Sequence, residues 1–244
     1  MYAKCPKCGA DSAGQAACPK CGVIFAKYLK TVVGGAPVRS ARPADEGEAG
    51  FRVSQWLFAV PEEVNPGAVY ARAALLAVLA VYGAYLSTLD IPAGEIWGTL
   101  MHYPIIVIHE FGHVLFKPFG EFMYIAGGTL TQIGMPLVFG GILLWKNRDP
   151  FAAAVCLWWA AVAVIDVAPY IYDAYKPQHI LLSGRTGDDG SHDFIDILGD
   201  LGLLNKAQPL GYATRAFGVG VLGLSLAWGA YVLWLQYRNR SRLD

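Results

Sequence analysis

The chain has few charged residues, and this scarcity excludes most classes of soluble protein. Asp, Glu, Lys and Arg make up only 16% of its 244 residues, whereas 55% are hydrophobic and the mean hydropathy is +0.39. An ordinary soluble domain carries about 25% charged residues. The composition therefore predicts an integral membrane protein that lies largely within a lipid bilayer.

The chain also lacks a basic run and an N-terminal export signal. The net charge is zero, so nucleic acid is not indicated as a partner. The first thirty residues are polar and cysteine-rich, without the short apolar core of a cleavable signal. We therefore expect the N-terminal segment to stay in the cytoplasm.

The five cysteines do not pair evenly, and four of them form a metal-binding pattern. Cys5-Pro-Lys-Cys8-Gly and Cys18-Pro-Lys-Cys21-Gly repeat one turn, whose glycine permits the tight backbone that points amides at the thiolates. Four thiolates complete a closed tetrahedral zinc site, which stabilises folding and carries no chemistry; a four-cysteine iron site is the alternative. Residues 1–30 are thus predicted to be a zinc ribbon. The ribbon could also dock a protein partner, although a purely structural role is the simpler interpretation.

The remaining sequence predicts a linker and a membrane domain. Residues 31–50 are rich in Gly, Ala, Pro and charge and have no apolar period, so we expect a flexible linker. Residues 51–244 contain long apolar runs, which makes the predicted fold an all-α polytopic membrane protein with about five transmembrane helices. Polar residues and glycines at 127–132 predict an irregular or strand-like segment in the third span. The expected spans are 67–89, 97–116, 122–145, 151–175 and 209–234.

The stretch His109-Glu110-Phe111-Gly112-His113 concentrates ionisable groups inside the second predicted span. On a helix His109 and His113 share one face and can bind one metal ion, while Glu110 can reach a water molecule on that metal. Each ionisable group in a span costs about 2.5–3.5 kcal/mol, and a metal is the natural compensating partner. The alternative is that both histidines only satisfy helix contacts or line a polar cavity.

A catalytic zinc ion needs a third protein ligand. Spans two and four run in the same direction, and a rise of 1.5 Å per residue places His113 about 6 Å, Asp173 about 4.5 Å and Asp166 about 15 Å below one membrane face. Depth therefore favours Asp173, and we expect Asp166 to be a buried hydrogen-bonded acid. His192 and Asp193 are alternative candidates for the third ligand. Asp193 could instead cap the N-terminus of the following helix or form a hydrogen bond with His192.

These motifs resemble the site-2 protease (M50) family of intramembrane zinc metalloproteases. That family combines HExxH with a later Asn-x-x-Pro and Asp-Gly; here Asp166-Val-Ala-Pro-Tyr-Ile-Tyr-Asp173 follows HEFGH. The resemblance implies that His109, His113 and Asp173 bind zinc and that Glu110 activates water. This chain departs from the family pattern in three ways. An aspartate replaces the Asn, an alanine replaces the Gly, and the spacing from proline to aspartate is one residue shorter.

The chain is also similar to bacterial M50-like membrane proteins that carry an N-terminal zinc ribbon and a later His-Asp-aromatic motif, here His192-Asp193-Phe194. The glycine-bearing stretch 127–132 is placed like the hairpin with which the family receives its substrate. The resemblance implies location in the inner (cytoplasmic) membrane of a bacterium. We expect the ribbon in the cytoplasm because exported unprotected thiolates are uncommon, although basic residues at 146 and 148 and at the C-terminus favour the opposite orientation.

The predicted function is zinc-dependent intramembrane hydrolysis of peptide bonds in membrane-protein or peptide substrates, with one catalytic and one structural zinc ion. A substrate must be extended to be cut, since a helix hides its carbonyls in its own hydrogen bonds. The alternative function is a non-proteolytic membrane receptor or scaffold that keeps the metal for structure. A metal transporter is disfavoured because the polar residues cluster near one face and form no path across the membrane.

The two-module organisation is testable with a ribbon variant. Cys5→Ser should release one zinc ion and loosen the N-terminus but leave the membrane domain folded, because a flexible linker transmits little. Elemental analysis of zinc and thermal unfolding of the purified protein measure both effects. Loss of the membrane domain's metal in this variant would show that the two modules are not independent.

Overall fold

The computed structural model describes residues 4–5, 8–12, 15–25, 54–187 and 192–240. The chain divides into two compact units, Met1–Phe51 and Arg52–Asp244. The linker predicted over residues 31–50 lies outside the described residues.

The described residues of the N-terminal unit form two similar knuckles. In the first, Gly9 N–H donates to the carbonyl of Cys5 at 2.9 Å, and in the second Gly22 N–H donates to Cys18 at 2.9 Å. Both glycines have positive φ, of 72° and 69°, which is the conformation their position in each turn requires. Cys5, Cys18 and Phe25 are buried together in a small core. The two repeated sequence motifs therefore fold into two repeated turns.

The second unit is built from α-helices, and within its described residues no strand is formed. Single turns of tighter or wider helix occur at Glu95–Gly98, Lys117–Phe119, Leu143–Asn147 and Leu204–Lys206. The helices are α1 Ser54–Leu57, α2 Pro66–Thr88, α3 His102–Phe116, α4 Glu121–Ile142, α5 Pro150–Asp173, α6 Asp193–Asp200 and α7 Ala207–Arg238.

Two of the long helices begin at the same kind of signal, an Asx residue followed by proline. Asn65 Oδ1 accepts a hydrogen bond from Gly67 N–H at 2.8 Å, and Asp149 Oδ1 accepts one from Ala152 N–H at 3.1 Å. Proline at the first helical position costs nothing there, because its missing N–H would have no helical partner. Asp149 also forms a 2.7 Å ion pair with Arg72, which ties the start of α5 to α2.

Four helical segments in the described part of the chain are long and apolar enough to cross a membrane, one fewer than predicted. The segment that falls short is α3, which carries HEFGH and has 15 residues. Such a helix is about 22 Å long, against about 30 Å for the hydrocarbon core. The chain before it folds into turns and the short helix Glu95–Gly98, so α3 begins at His102 and not near Trp97. The four segments are Pro66–Thr88, Glu121–Asn147, Pro150–Asp173 and Leu204–Arg238.

The prediction of an irregular or strand-like segment at 127–132 was wrong, because these residues lie inside the continuous helix α4. Gly127, Gly128, Thr131 and Gln132 are all buried. Their small or polar side chains allow α4 to approach a neighbouring helix closely, a use of glycine that is common in membrane helices. The feature that suggested a helix break is therefore a helix-packing surface.

Helix α5 is the central helix of the second unit. Of the four spanning segments it is by far the most buried, with 72% of its hydrophobic window inside the protein. Its small residues 161–163 pack in one cluster with Leu86 of α2, Ile105 of α3 and Leu222 of α7. Trp158 Nε1 donates to the carbonyl of Leu79 at 3.1 Å, which fastens α2 to α5. Small side chains on α5 thus let three other helices pack against it.

Helix α6 is short and amphipathic and packs at the end of α5. Phe194 and Leu198 on its apolar face are buried against Val167 and Ile171 of α5. This packing places the first residue of α6, Asp193, beside the last turns of α5.

The close α3–α4 contact predicts that Gly112 tolerates no side chain. A Cβ at this position would collide with the carbonyl of Gly127 and lie 2.6 Å from Thr131 Oγ1. We expect Gly112→Ala to destabilise the membrane domain by about 1–3 kcal/mol, as overpacked cores do. Gly134→Ala on α4 is the matched control, because a Cβ there meets nothing within 4 Å. Thermal unfolding in detergent should show a lowered midpoint only for Gly112→Ala; equal midpoints would contradict the assigned contact.

Candidate metal centres

His109 sits in space that exists only because a neighbouring residue is glycine. A Cβ on Gly128 would lie 2.5 Å from His109 Nε2 and 2.6 Å from its Cε1. The imidazole therefore lies directly against the backbone of α4, and His109 is only 4% exposed. The contact of α3 with α4 fixes the position of this ring.

A hydrogen bond to Gln132 sets the protonation of His109. Its Nδ1 lies 2.6 Å from Gln132 Oε1, and the amide nitrogen of Gln132 donates to the carbonyl of Ala163 at 3.0 Å. Since Gln132 uses its NH₂ group on α5, its oxygen is the acceptor and His109 Nδ1 carries the proton. His109 Nε2 is then free to present a lone pair.

His113 is held in the same way by the backbone of α4. Its Nδ1 donates to the carbonyl oxygen of Tyr124 at 2.8 Å, which again assigns the proton to Nδ1. The rings of His109 and His113 are 4.8 Å apart between centroids, at an interplanar angle of 75°. Both Nε2 atoms are thus left for a common partner.

The side chain that meets both histidines is Asp193, the first residue of α6. Its Oδ2 lies 3.0 Å from His109 Nε2 and 3.4 Å from His113 Nε2. One carboxylate oxygen of Asp193 therefore faces the Nε2 atoms of both histidines.

Three atoms with lone pairs converge on one point between α3 and α6. With Nδ1 protonated, each imidazole either faces the carboxylate with a lone pair or must become an imidazolium ion. An imidazolium ion at both the buried His109 and the partly buried His113 would leave an uncompensated positive charge beside one carboxylate, which is costly away from water. One metal ion satisfies all three atoms, so this group could hold a metal.

Glu110 completes the polar group on α3. One of its carboxylate oxygens lies within 4.8 Å of ligand atoms of both His109 and His113. Glu110 is exposed, and no hydrogen bond joins its side chain to another described residue. Its carboxylate is therefore free to act on a molecule that binds beside the histidines.

The structure places Asp173 away from the position that the sequence favoured for it. The Asp173 carboxylate accepts hydrogen bonds from the backbone N–H groups of Gln178 at 2.9 Å and His179 at 3.4 Å, and its Oδ2 lies 3.8 Å from His192 Nε2. Asp173 thus closes the C-terminal end of α5. The rise per residue predicts that Asp173 and His113 lie at similar depths below one membrane face. Depth along a helix does not, however, fix the direction in which a side chain points.

Asp166 and His192 also lie outside the group of ligand atoms. Asp166 is buried and its carboxylate contacts His102 Nδ1 at 3.0 and 3.2 Å. His192 is 1% exposed, its ring stacks on Tyr170 at 4.2 Å, and its Nε2 lies 3.8 Å from Asp173 Oδ2. Burial lowers the pKa of His192 below its ordinary value, so its ring is neutral.

The four cysteines of the N-terminal unit form a second group that could hold a metal. All four sulfur atoms lie within 4.8 Å of one another, with Cys5 and Cys21 3.7 Å apart and Cys8 and Cys18 3.6 Å apart. The backbone N–H of Cys21 is the main cause that lowers the pKa of the Cys18 thiol to about 6. The two CPxCG turns therefore gather the four sulfurs, and the second turn favours the thiolate form of Cys18.

Several residues of the histidine site were not assigned a role from the sequence. Gln132 was visible only as a polar interruption of an apolar run, which is a usable signal because a buried amide in a membrane helix needs a partner. The backbone carbonyl of Tyr124 carries no sequence signal. Neither did the sequence indicate that His102 would pair with Asp166.

Comparison with protein-family models, with curated proteins and with solved structures found no match for this chain.

The ligand assignment predicts different outcomes for the same substitution at three aspartates. Asp193→Asn should reduce the bound metal from two ions per chain to one, because an amide oxygen is a much weaker ligand than a carboxylate. Asp173→Asn and Asp166→Asn should keep both ions, since neither carboxylate contacts His109 or His113. Elemental analysis of purified protein gives the stoichiometry. Loss of metal in Asp173→Asn together with retention in Asp193→Asn would return the third ligand to Asp173.

Proposed function

We propose that this chain is a zinc-dependent intramembrane endopeptidase that hydrolyses peptide bonds of membrane-protein substrates. The observation that carries the proposal is the position of Asp193 Oδ2, 3.0 Å from His109 Nε2 and 3.4 Å from His113 Nε2. Atoms bound tetrahedrally to zinc at about 2.0–2.2 Å lie about 3.3–3.6 Å apart. Asp193 Oδ2 thus lies at nearly the distance from each histidine nitrogen that two ligand atoms of one zinc ion have.

The ligand set favours zinc over other common cations. Two imidazoles with one carboxylate make up a known set of catalytic zinc ligands, whereas calcium and magnesium prefer oxygen atoms alone. His109 and His113 each donate Nδ1–H to a carbonyl oxygen, of Gln132 and Tyr124 respectively. Such outer hydrogen bonds orient zinc-binding histidines and raise their basicity.

The residues around the ligands support hydrolysis. A zinc ion held by three protein ligands keeps one coordination position open. Such an ion would supply Lewis-acid polarisation of the peptide carbonyl. Glu110 is the residue placed to accept a proton from the attacking water and to deliver it to the leaving amine. Its free carboxylate beside His109 and His113 suits this role.

The resemblance to the M50 family supports the same roles for His109, His113 and Glu110. The third ligand in this proposal departs from the family pattern, since Asp193 on a separate helix takes the place that the resemblance gave to Asp173. The proposal is therefore a hydrolase with the M50 type of motif and its own way of completing the zinc site.

The surroundings of Glu110 support a substrate that approaches within the membrane. Glu110 lies on a side of α3 where Val107, Phe111 and Val114 are 68%, 55% and 67% exposed. A side chain among such apolar residues is reached laterally from the lipid. Residues 127–132 offer no strand edge with which an extended substrate could pair, because they lie within the helix α4. The substrate still has to unwind, since helical carbonyls are occupied by helical hydrogen bonds.

The four-cysteine group is proposed to hold a structural zinc ion. Tetrahedral Zn–S bonds of about 2.3 Å place sulfur atoms about 3.8 Å apart. The distances of 3.7 Å for Cys5 with Cys21 and 3.6 Å for Cys8 with Cys18 fit this geometry. We place this unit in the cytoplasm of a bacterial cell, with the helical unit in the inner membrane, because a reducing compartment preserves free thiolates.

A second candidate function is a membrane receptor or scaffold with a structural metal site. The observation that favours it is the proximity of Glu110 to both histidines, within 4.8 Å. If Glu110 bound the metal together with Asp193, four protein ligands would close the site and no position would remain for a reacting group.

The two functions are separated by Glu110→Gln. In a hydrolase this variant should keep both zinc ions and lose about 10²- to 10⁴-fold in rate, because an amide cannot accept the proton of water. The measurement compares membrane-protein fragments by proteomics in cells with the wild type or the variant at equal expression, with zinc measured on both proteins. Glu62→Gln, an exposed acid at the start of the helical unit, is the matched control and should leave the fragment pattern unchanged.

Each function gives a different result in this comparison. Loss of fragments in a zinc-loaded Glu110→Gln protein supports the endopeptidase. Identical fragment patterns in wild type and a zinc-loaded variant refute it, and loss of zinc in Glu110→Gln identifies Glu110 as a fourth ligand and supports the scaffold.

A further inference from the structure

Tyr170 lies next to the proposed zinc ligands, and neither the motif nor the mechanism above uses it. We propose that Tyr170 is a positioning residue that holds the Asp193 carboxylate in place as the third metal ligand. This inference rests on the metal site of the proposed function, but not on what reaction that site performs.

The central contact is a hydrogen bond between two helices. The backbone N–H of Asp193 donates to the hydroxyl oxygen of Tyr170 at 3.0 Å. Asp193 is the first residue of α6, where N–H groups have no partner within the helix. The residue before it, His192, provides no side-chain cap. Tyr170 on α5 therefore supplies the missing acceptor and holds the backbone of Asp193, the proposed metal ligand.

The ring of Tyr170 is itself held on several sides. His192 stacks on it with centroids 4.2 Å apart and an angle of 24°, and Phe194 meets it edge-on at 5.5 Å. His109 also lies edge-on, at 6.1 Å. On its other side His192 packs close to the backbone of Gly187, where an added Cβ would lie 2.8 Å from His192 Cβ. The residues on both sides of Asp193 thus enclose the ring to which Asp193 is bonded.

This arrangement gives Asp193 the support that the other two ligands receive elsewhere. His109 is oriented by Gln132 and His113 by the carbonyl of Tyr124. Asp193 comes from a short helix that follows a long connection after α5, and the Tyr170 hydroxyl holds the backbone of this residue in addition to the packing of Phe194 and Leu198. Loss of such an outer contact typically lowers metal affinity by about 10- to 100-fold.

Another tyrosine on the same helix provides a matched control. Tyr172 lies two residues further along α5, and its ring contacts Tyr212 of α7 edge-on at 5.5 Å. The Tyr172 hydroxyl forms no hydrogen bond with any residue in the described part of the chain. Phenylalanine at position 170 or 172 keeps the ring and its packing and removes only the hydroxyl.

The test measures zinc affinity of the full chain in detergent. Zinc is removed and returned in competition with a chromophoric chelator of known affinity, and thermal unfolding of each apoprotein confirms that it is folded. Tyr170→Phe should weaken the zinc site of the helical unit by about 10- to 100-fold. Tyr172→Phe should bind within about twofold of the wild type, and the four-cysteine site should be unchanged in both variants. Equal affinities for wild type and Tyr170→Phe would overturn the proposal.

A double-variant cycle tests whether Tyr170 acts through Asp193. In an Asp193→Ala background, where His109 and His113 still bind zinc weakly, adding Tyr170→Phe should cause no further loss. A further loss of the same size as in the wild-type background would show general structural support and overturn the proposal. This test measures zinc affinity and not proteolysis. Identical fragment patterns in wild type and zinc-loaded Glu110→Gln would therefore refute the endopeptidase without changing the result for Tyr170. A wild-type helical unit that binds no zinc would refute both.

Discussion

The contact between α3 and α4 is made largely by backbone, because glycine occupies the crossing point on both helices. Gly112 and Gly127 leave no room for a Cβ, and Gly128 gives its space to the ring of His109. This close approach brings Gln132 and the carbonyl of Tyr124 within hydrogen-bond distance of the two imidazoles. The orientation of both histidines, and with it the ability of the site to hold a metal, depends on the crossing of these two helices.

The site is completed by an element that is not part of the helix pair. Asp193 lies at the start of α6, a short amphipathic helix whose apolar side packs against the end of α5. The histidines are thus fixed by the interior of the helical bundle, whereas the carboxylate is fixed by a helix docked at its edge. This division makes the docking of α6 a requirement for metal binding and explains why contacts at its first residue matter.

Several polar groups inside the helical unit pair with one another, as expected where the surroundings offer little water. His102 meets Asp166, Gln132 joins His109 to α5, and Arg72 meets Asp149. Each pair connects two different helices. The unit is therefore held together by a few specific polar contacts in addition to the apolar cluster around α5, and the proposed metal site is the largest of them.

The sequence by itself determined the features that depend on local spacing. Two CPxCG turns predict a four-sulfur group, and HEFGH on a helix predicts two histidines on one face. Only the tertiary structure decided that α3 is too short to span, that 127–132 belongs to a helix, and that Asp193 and not Asp173 meets the histidines. The physical reason is that spacing fixes neighbours within one element, whereas the direction of a side chain toward another helix depends on how the helices rotate and pack.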